Sequence, residues 1–205
     1  MTIIGITGIS GSGKTTVARM LTKMGGFVVE ADPLAHEVMQ KGRPAYDEIV
    51  KTFGTEILDS EGEISRPTLG KLVFEDKKKR TQLEKIIHPK VINLTTALIV
   101  HARLSGQHKF AVIDAPLLIE AGMHKNCHTC WLITASHEVR LARIMARDSI
   151  TKEAAEKRLA TRKGDEALKP YANTIIENNN ESLHELKAKV ISALQVVLQP
   201  GKRDK

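Results

Sequence analysis

Gly8-Ile9-Ser10-Gly11-Ser12-Gly13-Lys14-Thr15 constrains this chain more than any other stretch. It fits GxxxxGK[ST] at every fixed position and stands between a short apolar run at residues 3–7 and a helical pattern at 14–24. Glycines at 8, 11 and 13 can take backbone angles barred to other residues, so successive N–H groups can turn inward around a phosphate. The helix beginning at Lys14 points its positive end at the same place. Lys14 can reach the β and γ phosphates of a nucleotide, and the Thr15 hydroxyl can ligate Mg²⁺. Gly8, Gly11, Ser12, Gly13, Lys14, Thr15 and Thr16 therefore form the predicted seat of a nucleoside triphosphate, with Thr15 as the metal ligand.

Around that loop, periods of two and of 3.6 alternate, the pattern of βα units on a mainly parallel sheet. Strands are predicted at 3–7, 27–29, 110–113, 131–133 and 174–176. Helices are predicted at 14–24, 137–147, 151–162 and 181–198, and 34–105 reads as mostly helical. That long stretch should break at Gly42-Arg43-Pro44, Gly54, residues 59–62 and His88-Pro89. Asp32-Pro33 reads as an N-cap with Pro at the first helical position. The expected architecture is α/β: a three-layer P-loop fold on a parallel sheet, with a helical insertion and an arginine-bearing lid. Residues 199–205 read as a frayed tail.

Composition narrows the class further. A chain of 205 residues, 41% apolar and 27% charged, can bury a full core without metal or disulfide and does not read as disordered. No apolar run exceeds four residues, far below the ~20 a spanning helix needs, and the N-terminus carries no signal-peptide pattern. A cytoplasmic protein without a membrane partner is expected. The net charge of +7 suits polyanionic partners, but one Trp, two Tyr and four Phe offer little stacking surface for single-stranded nucleic acid. No nucleic-acid partner is expected. Cys127-His128-Thr129-Cys130 has CxxC spacing, yet no further Cys exists to complete a zinc site, and the pair runs into a strand rather than a helix. Two ordinary thiols are the reading.

Candidate chemistry gathers at strand ends and on one helix. Asp114 closes the strand at 110–113, where a second acid would reach the metal or its water shell; capping the turn before Pro116 is the alternative. Asp32 follows the second strand, on the edge where open α/β sheets collect ligands, and could accept a proton from an attacking hydroxyl. Arg140, Arg143 and Arg147 recur at i, i+3 and i+7, and Arg158 and Arg162 at i, i+4. Arginine suits bidentate phosphate gripping, so these read as a lid, or else as a solvated basic face.

Taken together, these residues resemble the dephospho-coenzyme A kinase family over nearly the whole chain. The DAD segment is matched by Glu30-Ala31-Asp32. Phe53-Gly54, the Gly62-x-x-x-Arg66 turn, Val73-Phe74 and Leu83-Glu84-Lys85-Ile86-Ile87-His88-Pro89 match further blocks. D-x-P-L-L-x-E is Asp114-Ala115-Pro116-Leu117-Leu118-Ile119-Glu120, and R-x-x-x-R-D ends at Arg147-Asp148. The resemblance implies ATP-dependent phosphorylation of the ribose 3′-hydroxyl of dephospho-coenzyme A, with Mg²⁺, by a monomer or weak homo-oligomer. It implies Asp32 as base, Lys14 on phosphate, and Arg143 and Arg147 as clamps on the transferring group. Asp32, Arg66, His88, Asp114 and Leu117 then line the acceptor side, although His88-Pro89 also reads simply as a helix break. The resemblance also places Asn178, in an Asn-rich turn, near the adenine pocket, and implies a three-part chain: a core at about 1–34, 108–136 and 172–198, a helical acceptor-binding part at 35–105 and a lid at 138–165.

Five positions depart from the family pattern: Glu30, His36, Arg140, Arg162 and Asn173. They bear on affinity and leave Asp32, Lys14 and Arg147 in place. The loop text also resembles uridine kinase, which would not need the P-L-L-x-E and I-H-P blocks. A GTPase switch would want an N-K-x-D segment, which is absent from the sequence. A basic nucleic-acid-binding ATPase is the remaining alternative, and salt-dependent DNA binding would reveal it.

Overall fold

A computed structural model describes residues 1–160, 164–179 and 182–199. The chain divides into two compact units, Met1–Val29 together with the chain from His101 onward, and Glu30–Val100.

In the first unit β1 (Thr2–Thr7) is the centre of the sheet. It pairs in parallel with β3 (Phe110–Asp114) on one side and β4 (Thr129–Thr134) on the other. β4 pairs in parallel with β5 (Thr174–Glu177), and β2 (Gly26–Glu30) lies outside β3, giving the order β2-β3-β1-β4-β5. Side chains alternate across the strands, so one strand serves two cores. Trp131 and Ile133 of β4 pack with Ile4, Ile6, Phe110 and Val112 against α1 (Lys14–Lys23) and α9 (Leu183–Leu198). Leu132 points the other way, to Leu141 and Ile144 of α6 (His137–Asp148), Ala155 and Leu159 of α7 (Lys152–Ala160), and Leu168 of α8 (Asp165–Leu168). Helices on both faces of a parallel sheet are the three-layer α/β arrangement expected. Asn173 fastens β4 just before β5: its N–H donates to Cys130 O at 2.8 Å and its Oδ1 accepts from Cys130 N at 2.8 Å.

The second unit carries α2 (Ala31–Glu37), α3 (Tyr46–Phe53), α4 (Arg66–Glu75) and most of α5 (Lys77–Ser105). Two expectations fail here. Helix α5 runs through His88-Pro89 instead of breaking. Proline removes one i→i−4 bond, but Ile86, Val91, Thr95 and Ile99 are all buried along the helix, and that packing outweighs the lost bond. Asp32 does not cap α2. Glu30 occupies the cap position in extended backbone, and Asp32 lies inside the first turn.

The two cysteines are free, Cys130 within β4 and Cys127 just before it. Cys127 Sγ lies 3.5 Å from Met123 O. A hydrogen bond to Cys130, reinforced by burial, pushes the Cys127 thiol far above the ordinary thiol range. The segment 161–163, including Arg162, and the tail 200–205 lie outside the described residues.

Candidate active site

The loop between β1 and α1 is shaped by its glycines. Gly8, Gly11 and Gly13 have φ of 149°, 82° and 97°, angles that side-chain-bearing residues rarely adopt. Close approaches also require them. A Cβ on Gly8 would lie 2.3 Å from Ile133 O, and one on Gly11 would lie 2.8 Å from Arg140 O. The loop is thus clasped between β4 and α6. Gly8→Ala should cost about 2 kcal/mol, lowering the melting temperature by about 4–8 °C. A thermal melt of the variant within 1–2 °C of the parent protein would contradict that packing argument.

Gly13 precedes α1, whose N-terminus has neither a side-chain cap nor an acid in its first turn. The positive helix end therefore faces the loop uncompensated, ready for an anion. Lys14 is half-buried at the first helical position, Thr15 is exposed beside it and Thr16 is half-buried. Ser12 is fully buried, its hydroxyl has no hydrogen-bond partner among the described residues, and its N–H is taken by Ile9 O at 3.1 Å. Ser12 therefore shapes the loop from within; its backbone donor is already used.

Asp114 ends β3 opposite Ile6, one residue before Thr7, and is 8% exposed. Ala115 N donates to Ile6 O at 3.2 Å, and Thr7 Oγ1 donates to Pro116 O at 3.3 Å. The start of the D-x-P-L-L-x-E block is thus laced to the strand that feeds the loop, with Leu117 half-buried just beyond. Thr15 and Asp114 offer hard oxygen donors, the chemistry Mg²⁺ takes. Among the described residues no cluster of three or more His, Cys, Asp or Glu could hold a metal by itself. That fits an ion bound by one or two side chains together with substrate phosphates.

The arginines of α6 have three separate fates. Arg143 reaches the loop: one guanidinium nitrogen donates to Gly11 O at 3.2 Å and the other to Asn178 Oδ1 at 3.4 Å. Arg140 is paired with Asp165 of α8 at 3.0 Å, both side chains mostly buried, leaving Arg140 Nε and Asp165 Oδ1 without a partner among the described residues. Burial pushes the Asp165 carboxyl above the ordinary carboxylate range, and the attraction of Arg140 does not overcome it. This pair fastens α6 to α8 at a desolvation cost. Arg147 is exposed and binds Asp148 through two bonds of 2.8 Å, and Arg158 pairs with the same carboxylate. The hydrogen bonds from Arg147 hold the Asp148 carboxyl below its ordinary range. Exposed pairs of this kind contribute little and are screened by salt.

In the second unit a hairpin-like turn delivers Arg66. Leu58 and Ile64 form an antiparallel bridge, Asp59 Oδ1 accepts from the N–H groups of Glu61 and Glu63 at 3.0 and 2.9 Å, and Gly62 has φ 75°. That geometry accounts for the spacing of Gly62 and Arg66. Ser65 caps α4, and Arg66 is its exposed first residue. On α2, Asp32 and His36 are four residues apart and share a face. Burial holds the His36 imidazole below its ordinary value of 6.5, helped by Arg66 and opposed by Asp32. Asp32, His36 and Arg66 thus lie within electrostatic reach of one another, and His36 Nδ1 is buried with no hydrogen-bond partner among the described residues. His88 is half-buried in α5. Of the predicted acceptor residues, this unit brings together Asp32 and Arg66, while Asp114 and Leu117 belong to the first unit.

Sequence reading missed Asn179, whose Oδ1 accepts from Ser136 N at 2.6 Å, next to the cap of α6. It also missed that Asn178 is bonded into the loop, with Nδ2 donating to Ser12 O at 2.8 Å. An Asn-rich turn after a strand was the available signal, and it is too common to assign such bonds.

Comparison with known proteins supplies the family. A family model described as dephospho-CoA kinase matches residues 2–184. The dephospho-CoA kinase of Moorella thermoacetica is 38% identical over 195 residues, covering 95% of this chain and 92% of its own. The solved structure of TT1252 from Thermus thermophilus superposes with a TM-score of 0.81 at 31% identity, covering 97% of this chain and 98% of its own. Dephospho-CoA kinase from Campylobacter jejuni superposes with a TM-score of 0.67 at 25% identity, covering 95% and 96%. With its parallel sheet and glycine loop, and matched along nearly its whole length by the family model and by the Moorella thermoacetica enzyme, the chain belongs to the dephospho-CoA kinase family.

Proposed function

We propose that this chain transfers the γ-phosphoryl group of ATP to the ribose 3′-hydroxyl of dephospho-coenzyme A, giving coenzyme A and ADP. The observation that carries this reading is the glycine loop at the positive end of α1, in a chain that also holds the D-x-P-L-L-x-E and I-H-P blocks. In the reaction the 3′-oxygen forms a bond to the γ-phosphorus as the bond to the β–γ bridging oxygen breaks, and the hydroxyl proton passes to Asp32. Catalysis of this kind rests on positioning and electrostatics. Lys14 and the loop donors hold the β and γ phosphates, with Arg143 at the edge of the loop and Arg147 available as a second clamp. Arg66, His88, Asp114 and Leu117 are assigned to the acceptor, residues 35–105 to its binding part and 138–165 to the lid.

Thr15, with Asp114 through water, would hold Mg²⁺, which when bound neutralises charge on the phosphates. Among the described residues no helix is long and apolar enough to cross a membrane. We assign the chain to the cytoplasm, acting as a monomer or weak homo-oligomer.

An ADP-release assay with ATP and Mg²⁺ tests the reading by comparing dephospho-coenzyme A with uridine, cytidine, AMP and no acceptor. Turnover with dephospho-coenzyme A alone supports it. Turnover with a nucleoside instead would sink the acceptor assignment and leave the triphosphate seat standing.

A further inference from the structure

Asn178 directly follows β5 and is 6% exposed. Its backbone N–H donates to Thr134 O at 2.9 Å, which ties it to β4. Its side chain is then used at both ends: Nδ2 donates to Ser12 O at 2.8 Å, and Oδ1 accepts from Arg143 at 3.4 Å. The fit is close, since a Cβ on Gly13 would stand 2.1 Å from Asn178 Nδ2. The same Arg143 holds Gly11 O at 3.2 Å. A single amide therefore anchors one loop carbonyl and orients the guanidinium that anchors a second.

The consequence follows from peptide geometry. In a trans peptide the C=O and the following N–H point in opposite directions. Pinning Ser12 O on Asn178 turns the Gly13 N–H away from Asn178. That N–H is the last loop donor before α1. We propose that Asn178 is a positioning residue for triphosphate binding: it fixes the direction of the Gly13 N–H and the aim of Arg143, and does not itself touch the nucleotide. Asn179 extends the brace by accepting from Ser136 N at 2.6 Å, so the turn after β5 holds the loop and the start of α6 together. This differs from a place in the adenine pocket, where Asn178 would read the base.

The proposal rests on the loop being the triphosphate seat, and the test keeps the two apart. The probes are ATP as substrate and Mg²⁺-tripolyphosphate, which has no base, as an inhibitor competing with ATP. In Asn178→Ala the KM for ATP and the inhibition constant of tripolyphosphate should rise together, by about tenfold or more, because a buried carbonyl loses its donor. The KM for dephospho-coenzyme A should stay within about twofold. Asn178→Asp keeps the volume and the acceptor for Arg143 but has no donor for Ser12 O, and it should show the same paired rise even if the alanine variant folds poorly. A rise for ATP with tripolyphosphate unchanged would place Asn178 on the base and overturn the proposal. A smaller active fraction with every constant unchanged would reduce it to a stability role and overturn it as well. If tripolyphosphate fails to compete in the parent enzyme, the seat itself is wrong and the brace falls with it.

Discussion

With Asp32 as the proposed base, Asp32→Asn should lower kcat by about 10²–10⁴-fold while the KM for ATP changes little. Asparagine keeps the size of aspartate and one acceptor oxygen, but it cannot take up the proton that leaves the 3′-hydroxyl as the phosphoryl group arrives. Asp32 is exposed in the first turn of α2, where the positive helix end favours its negative charge. Losing that charge costs the helix only about 0.3–1 kcal/mol, so the variant should still fold. Thermal melting controls for this, and steady-state kinetics in both substrates reads the effect. A variant turning over within a few-fold of the parent enzyme would remove Asp32 as the base.

Lys14→Ala should fail differently, with kcat down by about 10²–10³-fold and the KM for ATP up by about tenfold or more. Lys14 stands at the head of α1 beside a loop shaped by left-handed glycines, where, on the proposed reading, its ammonium would meet phosphate charge both before and during transfer. A group that acts in both states changes both constants, whereas a base that acts only in the transfer step changes kcat. Lys14→Arg is not a rescue, because the planar fork needs room that a point charge does not. Isothermal titration with ATP separates the cases: weakened binding in Lys14→Ala and near-parental binding in Asp32→Asn. Near-parental binding in both would leave Lys14 without a role in the seat.

How far the sequence reached depended on whether a residue's partner was local. The glycine loop declares itself because strand, turn and helix are contiguous, and the left-handed angles at Gly8, Gly11 and Gly13 are encoded by glycine alone. The strands were legible for the same reason, to within a residue or two at each end. The helix through Pro89 was not, because a local breaker was outweighed by burial of Ile86 and Val91 on either side of it. The arginines show the limit at the site. Spacing put Arg140, Arg143 and Arg147 on one helix, but their partners Asp165, Gly11 and Asp148 separate a buried fastening from a loop contact and an exposed surface pair. Of these only Asp148 adjoins its arginine in sequence. Asn178 meets Ser12 across 166 positions, a distance that no local pattern spans.

The thiol pair beside β4 bears on how this enzyme lives with its own chemistry. Coenzyme A ends in a thiol, and any disulfide it forms will exchange with a protein thiolate that it can reach. The hydrogen bond to Cys130 and burial push the Cys127 thiol up, and Cys130 is 6% exposed within the sheet. Exchange needs both a thiolate and access, and here each sulfur lacks one of them. The described cysteines are therefore poor acceptors of a coenzyme A mixed disulfide.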